Sequence, residues 1–292
     1  MPNGLASGDN NQHSKTHMIL DTGHIAATKT DAAGNTVRMS AIRLYGLGAI
    51  ALGLVGLIWK DFALDWQPVP QNVPGRTALA CLAAIAFLVA GSAAQSRRTA
   101  RTGLVILAIL YAACAMLHIP DIVAHPQVLA PWAGAAEQLA IWAAALMVLG
   151  AMSSTLNDRG ARMQHTARIV FGCCLLCFGA VHFVYSAGTA SFVPNWIPLG
   201  QVFWAYFTGV AQCAAGIAIL SRHFEHQAAV LLSAMYIAFS LLVHIPSLLS
   251  HPHVHFNWAA NALNLALIGS AWVIADVSRH GHAATVQVAG RE

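Results

Sequence analysis

The sequence is poor in charge. Asp, Glu, Lys and Arg together make up 9% of its 292 residues, whereas a soluble globular domain carries about 25%. Hydrophobic residues make up 57%, which excludes a disordered chain, a collagen and a coiled coil and leaves too little polar surface to keep a soluble domain dispersed. The composition therefore predicts an integral membrane protein with several spans.

Several familiar motifs are also absent. The chain has no Walker A loop, no GxGxxG after a strand, no GxSxG, no HExxH and no CxxCH, so ATP hydrolysis, soluble dinucleotide binding and c-type haem attachment are unsupported. It has no soluble basic domain, which excludes nucleic acid as a partner. The six cysteines all lie in apolar runs, including the pair Cys174 and Cys177, and are interpreted as helix-packing residues rather than disulfides or redox thiols.

Eight apolar runs each approach the ~20 residues that an α-helix needs to cross a bilayer. The alternation typical of barrel strands is absent. The predicted fold class is therefore all-α, a polytopic membrane protein with eight transmembrane helices. The runs lie at about 41–60, 77–95, 103–119, 132–152, 169–186, 201–220, 228–245 and 258–276.

The two ends of the chain are polar. Residues 1–40 are rich in Gly, Asn and Thr and lack the apolar region of a signal peptide, so they are predicted to be a disordered cytoplasmic tail. Deleting residues 1–38, which makes Met39 an alternative start, is expected to leave membrane insertion unchanged. Residues 277–292 are predicted to be a second cytoplasmic tail.

Basic residues are distributed unevenly between the two ends of the predicted helices. Of the 15 Lys and Arg residues, 13 fall in the tails, at the start of the first helix and in the even-numbered connections, and only Lys60 and Arg76 fall on the other side. The positive-inside rule then places the chain in the cell membrane with both termini in the cytoplasm. Most prolines lie in or beside the odd-numbered, outer connections, which makes the outer side the better place for a site.

The sequence contains an internal repeat. His118-Ile119-Pro120 recurs as His244-Ile245-Pro246 at an offset of 126, and Trp132 recurs as Trp258 at the same offset. Residues 41–152 and 169–276 are therefore predicted to be two four-helix repeats. Because each repeat has an even number of helices, the two copies share one orientation and are related by an axis along the membrane normal.

One outer loop and the helix after it follow a family pattern. Val193-Pro194, Trp204 and the run from Gly209 to Leu220 resemble the DoxX-like family of four-helix membrane proteins, in which a proline-bearing outer loop precedes a helix of the form G-x-x-E-x-x-x-G-x-x-L. The resemblance covers one repeat at a time, about 45–150 and 170–276. It implies a four-helix membrane unit and, from some relatives, quinone-coupled sulfur or thiol redox chemistry.

The chain departs from that family in two respects. The acidic position of the motif is occupied by Gln212 in the second repeat and by Phe87 in the first, and the four-helix unit is present twice. Because this carboxylate is missing, the resemblance supports the four-helix fold more directly than it supports the redox chemistry.

Ionisable residues at membrane depth are the main candidates for function. His118 and His244 are predicted to end their helices before Ile-Pro, where an imidazole either caps the helix dipole or binds a quinone carbonyl, a metal or a haem iron. His182 lies inside the predicted fifth helix, opposite Gly56 in the repeat, and is interpreted either as functional or as bonded to a neighbouring helix. Glu137, the only acid inside a predicted span rather than at its end, is either a proton carrier or an interfacial residue that reaches water.

Polar side chains in the second repeat define a candidate ligand pocket. Gln212, Trp258 and Asn261 are interpreted either as interhelical hydrogen-bonding groups or as parts of a pocket wall. Polar groups in lipid cost free energy unless they converge. We therefore predict that His182 and His244 share one cavity within the second repeat, with Gln212 or Asn261 in its wall.

A histidine-rich outer loop is a candidate metal site. His251, His253 and His255 alternate along the chain, and in an extended loop they project to one side, where they can chelate Cu²⁺, Ni²⁺ or Zn²⁺. No carboxylate or cysteine accompanies them.

These features together predict a quinone- or redox-linked membrane subunit with an outer histidine-lined pocket and a redox partner subunit. A small-molecule or ion transporter is the alternative. Parallel repeats favour a transporter, but the predicted helices lack the internal prolines and charged midplane residues expected of coupled transport. A third interpretation is a non-catalytic accessory subunit.

Overall fold

The computed structural model describes residues 37–153 and 158–289, with side chains up to Arg279. All regular structure in these ranges is helical, as predicted. The helices are α1 (Met39–Trp59), α2 (Arg76–Ala93), α3 (Ala100–Met116), α4 (Ile119–Ala124), α5 (Leu129–Met152), α6 (Asp158–Val184), α7 (Ser186–Ser191), α8 (Gln201–Ser221), α9 (Glu225–Phe239), α10 (Ile245–Ser250) and α11 (His255–Ala289).

Eight helical stretches in the described ranges are long and apolar enough to cross a membrane. Six of them are the single helices α1, α2, α5, α6, α8 and α11. The other two are composite: Ala100–Ala124 joins α3 to α4, and Glu225–Ser250 joins α9 to α10 through the π-helical turn Ser240–His244. The predicted number and order of apolar helices are confirmed.

One helical element ends at each His-Ile-Pro motif, as predicted, and another begins directly after it: α3 ends at Met116 and the π-helical turn ends at His244. The helical path continues past both motifs, as α4 and as α10. Pro120 and Pro246 lie in the first turn of the new helix. Backbone N–H groups in a first turn have no intrahelical acceptor, so a proline there costs no helical hydrogen bond. A proline there is compatible with helix continuation, so the motif marks an interruption rather than a stop.

The predicted boundaries of both tails, after residue 40 and before residue 277, lie inside helices. α1 starts at Met39, and the backbone N–H of Arg38 donates a hydrogen bond of 2.8 Å to Asp276 Oδ2 on α11. α11 itself continues to Ala289, well beyond residue 276. Hydropathy detects only the apolar part of a helix, so it does not reveal the polar last turns of α11. The prediction of disorder for residues 1–36 lies outside the described residues.

The helices α5 and α11 form the centre of the bundle and pack against each other. Around them, α1 packs on α2 and α11, α6 packs on α5 and α8, α3 packs on α5, and α9 packs on α11. Small residues allow this close approach: a Cβ added to Gly48 would lie 2.4 Å from Ala266 Cα. Packing through Gly and Ala is the usual means of association where the surroundings are as apolar as the helices.

The two ends of the bundle differ in chemistry. Four connections, at 60–75, 125–128, 185–200 and 251–254, lie at one end and carry most of the prolines, and we call it the proline-rich end. The opposite end holds a buried ion pair, in which Arg168 Nε donates to Glu225 Oε1 at 2.9 Å between α6 and α9. The candidate site lies toward the proline-rich end.

Candidate functional site

A cavity of about 570 Å³, which we call the large cavity, lies between α6, α8, α9, α10 and α11 toward the proline-rich end. Its wall is mainly apolar and includes Phe207, Phe239, Leu242 and Phe256. Small-molecule sites have this size and this character, with a few placed polar groups in an apolar wall. The lining residues with polar atoms in their side chains are Trp66, Glu137, His182, Thr189, Trp204, Thr208, His244, Ser247 and Asn257.

A second cavity of about 160 Å³, the small cavity, adjoins the first. Glu137, His182, Phe239 and His244 line both, so these four side chains form the boundary between the two spaces. The small cavity is more polar in its wall. It is also lined by Gln212, Tyr236 and Asn264, which come from α8, α9 and α11.

Glu137 reaches both cavities from α5, in the first half of the chain. Its Oε2 accepts a hydrogen bond from Trp66 Nε1. Trp66 ends the 3₁₀ turn Leu64–Trp66, and its ring stacks on Phe256 with 5.2 Å between centroids. Among the described residues that line the cavities, Glu137 has the only carboxyl group and no Lys or Arg accompanies it. The site therefore offers one acid in an apolar space.

His182 is fixed by contacts to α8. Its Nδ1 lies 3.1 Å from the carbonyl oxygen of Ala205 and 3.0 Å from Thr208 Oγ1. Its Nε2 lies 3.4 Å from Gln212 Nε2. Thr208 and Gln212 are four residues apart and therefore lie on one face of α8. Both positions face α6, so the polar face of α8 serves to hold the imidazole.

His244 lies at the end of the π-helical turn that separates α9 from α10. Three asparagines of α11 support this region. Asn264 Nδ2 donates to the carbonyl oxygen of Tyr236 at 2.8 Å and to Ser240 Oγ at 2.7 Å, and Asn261 Nδ2 donates to the carbonyl oxygen of His244 at 2.9 Å. Single π turns inside α-helices are frequent at functional sites, and here the turn places His244 against both cavities.

The third asparagine continues the same row toward the proline-rich end. Asn257 Nδ2 donates to the carbonyl oxygens of Ser247 at 3.1 Å and of His251 at 3.2 Å. The row of amides on α11 thus supplies donors to the irregular backbone of the neighbouring helix.

The structure therefore brings together four of the residues proposed from the sequence, namely Glu137, His182, Gln212 and His244. Asn261 contacts the backbone of His244 but does not line either cavity. His182 and His244 share a cavity with Gln212 in its wall, as predicted. The cavities are not confined to the second half of the chain, because Trp66 and Glu137 belong to the first half.

Two other predicted residues lie away from the cavities. His118 is 3% exposed and packs against α5 at Gly134, where an added Cβ would lie 2.3 Å from His118 Cε1. Trp258 donates from Nε1 to the carbonyl oxygen of Pro252 at 2.8 Å, and Trp132 makes the same contact with Pro126 at 3.1 Å. Trp258 therefore shapes a connection rather than a pocket.

The histidine-rich loop does not assemble a metal site. Among the described residues, no group of three or more His, Cys, Asp or Glu side chains is placed to hold a metal ion. His251 follows α10 as its C-cap, and the ring of His255 stacks on Trp59 with 4.8 Å between centroids. His253 completes the motif but joins neither contact. The three side chains are thus used separately, and the metal interpretation of His251, His253 and His255 gains no geometric support.

Several lining residues were not proposed as site residues from the sequence. Trp66 lies in a connection that is distant in sequence from the second repeat, and only its pairing with Glu137 shows its place. Tyr236 and Phe239 lie within a uniformly apolar helix, and their spacing does not distinguish them from residues that only pack against neighbouring helices. Thr208 had a usable signal, since it falls on the same helical face as Gln212.

Comparison with known proteins gives one match. A family model described as a domain of unknown function (DUF8561) matches residues 171–275. This range runs from the middle of α6 into α11 and contains His182, Gln212 and His244. No curated protein and no solved structure matches the chain.

Proposed function

We propose that the chain is inserted in the cell membrane as two tandem four-helix repeats of DoxX-like type, with both termini in the cytoplasm and the proline-rich end outside. Helix packing supports the repeat. In the first half α1 packs on α2, and in the second half α6 packs on α8 in the same way. Each half also packs its first helix on the last helix of the other half: α1 packs on α11, and α6 packs on α5. The pair α5 and α11 lies where an axis relating the two halves would pass.

Glycine contacts support the same proposal. A Cβ on Gly91 would lie 2.8 Å from the carbonyl oxygen of Gly46, and a Cβ on Gly216 would lie 2.9 Å from that of Gly172. Gly172 follows Gly46 by 126 residues, and Gly216 follows Gly91 by 125. In each half, corresponding glycines therefore make a close contact between the first two helices.

The proposed activity is binding of a quinone in the large cavity, as a quinone-facing subunit of a membrane redox system. The observation that carries this proposal is the convergence of Glu137, His182 and His244 from three helical segments onto one apolar cavity of about 570 Å³. A quinone has an apolar ring and tail and only carbonyl oxygens for hydrogen bonding, so it suits a space with aromatic walls and few polar groups.

The polar groups have distinct roles in this proposal. The imidazole of His244 donates a hydrogen bond to a quinone oxygen, and Glu137 carries a proton between the site and the proline-rich end. Reduction of a quinone to a hydroquinone takes up two electrons and two protons, and a redox partner subunit at the proline-rich end supplies the electrons. The first half lacks the counterpart of Gln212: Phe87 takes its position and packs on Tyr111 with 5.1 Å between ring centroids.

A direct binding experiment tests the proposal. Purified protein in lipid nanodiscs is titrated with a decyl-chain benzoquinone, and saturable binding is measured by calorimetry. His244→Ala is expected to weaken binding about tenfold, because one hydrogen bond to the head group is lost. His125→Ala is the matched control, since His125 is an exposed histidine at the same end that lines neither cavity. Absence of saturable binding, or equal loss in both variants, contradicts the proposal.

A further inference from the structure

The small cavity has buried polar atoms without partners. Among the described residues, Gln212 Oε1 and the Tyr236 hydroxyl are buried and make no hydrogen bond. Both residues are 3% exposed and both line the small cavity. An unsatisfied polar atom at this depth costs free energy that neither lipid nor the neighbouring helices offset, so these two atoms indicate that something polar occupies the cavity.

The contacts of His182 determine which atom of the Gln212 amide is unpaired. His182 Nδ1 faces the carbonyl oxygen of Ala205 at 3.1 Å, and a carbonyl only accepts hydrogen bonds, so Nδ1 carries the proton. The hydroxyl of Thr208 lies 2.8 Å from the carbonyl oxygen of Trp204 and uses its own proton there. In the neutral imidazole Nε2 is then an acceptor. The amide atom that faces it at 3.4 Å must be the NH₂ group of Gln212.

This assignment leaves the amide oxygen of Gln212 as the unpaired atom. An amide oxygen accepts hydrogen bonds and donates none. The group that satisfies it must therefore be a donor. A quinone carbonyl has no donor, whereas a hydroquinone hydroxyl donates one hydrogen bond and accepts others. Tyr236 also lines the small cavity and can serve the same hydroxyl, because its own hydroxyl both donates and accepts.

The size of the small cavity fits a compact head group. About 160 Å³ holds about five water molecules at ~30 Å³ each, or one substituted six-membered ring. The larger space next to it is apolar and suits a hydrocarbon tail. The two spaces meet at Glu137, His182, Phe239 and His244, so an amphipathic molecule that spans them places its head beside the carboxyl group and both imidazoles.

We propose that the small cavity is the head-group subsite and that it selects the hydroxyl-bearing, reduced form of the ligand, a hydroquinone, over the quinone. The selection rests on Gln212, whose amide oxygen accepts a hydrogen bond from the hydroxyl, and on Tyr236. This inference rests on the proposed quinone binding and specifies which redox form the site holds more tightly.

Three ligands with one decyl chain separate the possibilities: the benzoquinone, its hydroquinone and the dimethyl ether of that hydroquinone. Each is titrated into protein in nanodiscs by calorimetry, with the hydroquinone kept reduced under anaerobic conditions. The hydroquinone is expected to bind about tenfold more tightly than the other two, because only it supplies a donor. Gln212→Leu is expected to remove this preference by weakening hydroquinone binding alone.

Controls keep this test independent of folding and of the parent proposal. Gln138→Leu is the matched control, since Gln138 is a glutamine of 2% exposure that lines neither cavity, and it should keep the preference. Tyr236→Phe keeps the ring and should reduce the preference in part. Equal binding of the three ligands, or a preference for the quinone, overturns the subsite while leaving quinone binding intact. A preference unchanged in Gln212→Leu also overturns it, and no binding of any ligand refutes the proposed function itself.

Discussion

His118 and His244 hold corresponding positions in the proposed repeat but have different surroundings. His118 is buried against Gly134, whereas His244 lines both cavities. The residue 126 positions after Gly134 is Ala260, which lines the large cavity. Gly134 gives the imidazole of His118 room to pack directly on α5, and we expect the methyl group of Ala260 to deny His244 the equivalent position.

This comparison yields a prediction at the residue scale. Gly134→Ala places a methyl group 2.3 Å from His118 Cε1, so the imidazole must move out of its packed position. We expect the variant to lose about 1 to 3 kcal/mol of stability against thermal unfolding in detergent. We also expect His118 to become reactive toward diethyl pyrocarbonate, which mass spectrometry detects. Gly188→Ala is the control, because an added Cβ there meets nothing within 4 Å; unchanged His118 reactivity in Gly134→Ala would contradict the explanation.

The sequence identified the ionisable residues of the site but not their partners. Glu137, His182 and His244 stand out because charge or imidazole at membrane depth is rare. Trp66 and Tyr236 do not stand out, since tryptophan and tyrosine are common in membrane proteins at any position near an interface. Which of these residues meet depends on helix rotation and packing: His118 packs on Gly134 and lines neither cavity.

At the scale of elements, the π-helical turn depends on a neighbouring helix rather than on its own sequence. Ser240–His244 contains no glycine or proline, and the apolar pattern around it predicts a continuous helix. Its support comes from α11, where Asn264 donates to Tyr236 O and Ser240 Oγ, and Asn261 donates to His244 O. A distortion that depends on contacts between helices cannot be predicted from local sequence, whereas the helix itself follows from hydropathy.

Loss of one amide should therefore loosen this turn. Asn264→Leu removes both donors to Tyr236 O and Ser240 Oγ, and we expect amide hydrogen exchange in residues 236–245 to become about tenfold faster in nanodiscs. Ser270→Ala is the matched control on the same helix, because the buried Ser270 hydroxyl bonds only to Ala266 of its own helix, at 2.7 Å. An exchange rate in residues 236–245 that does not change in Asn264→Leu would show that the turn is intrinsic to its own segment.

At the scale of the whole molecule, the cavity is shared between the two halves of the chain. The sequence placed the site in the second repeat because that repeat has more polar residues. In the structure α5 packs on both α6 and α11, so the carboxyl group of Glu137 enters the cavity from the first half. A single repeat contains neither the complete polar set nor the complete apolar wall. If the chain is duplicated as we propose, both copies contribute to the site, and one half taken alone is not expected to bind the ligand.

The orientation of the whole bundle is the last prediction, and it rests on charge. Thirteen of 15 Lys and Arg residues lie at the end opposite the proline-rich end or in the tails, and Arg76, one of the two exceptions, is paired with Asp61. Moving so many basic groups across a membrane is unfavourable, so the proline-rich end should face outward.

Two exposed serines, one at each end of the bundle, make this orientation measurable. Ser191 ends α7 at the proline-rich end, and Ser96 lies between α2 and α3 at the opposite end. The six native cysteines are first replaced by alanine. In intact cells a membrane-impermeant maleimide should then label Ser191→Cys at once, and should label Ser96→Cys only after permeabilisation. The reverse labelling would invert the topology and move the cavity to the cytoplasmic side, whereas labelling of both in intact cells would show that the helices between them do not separate two compartments.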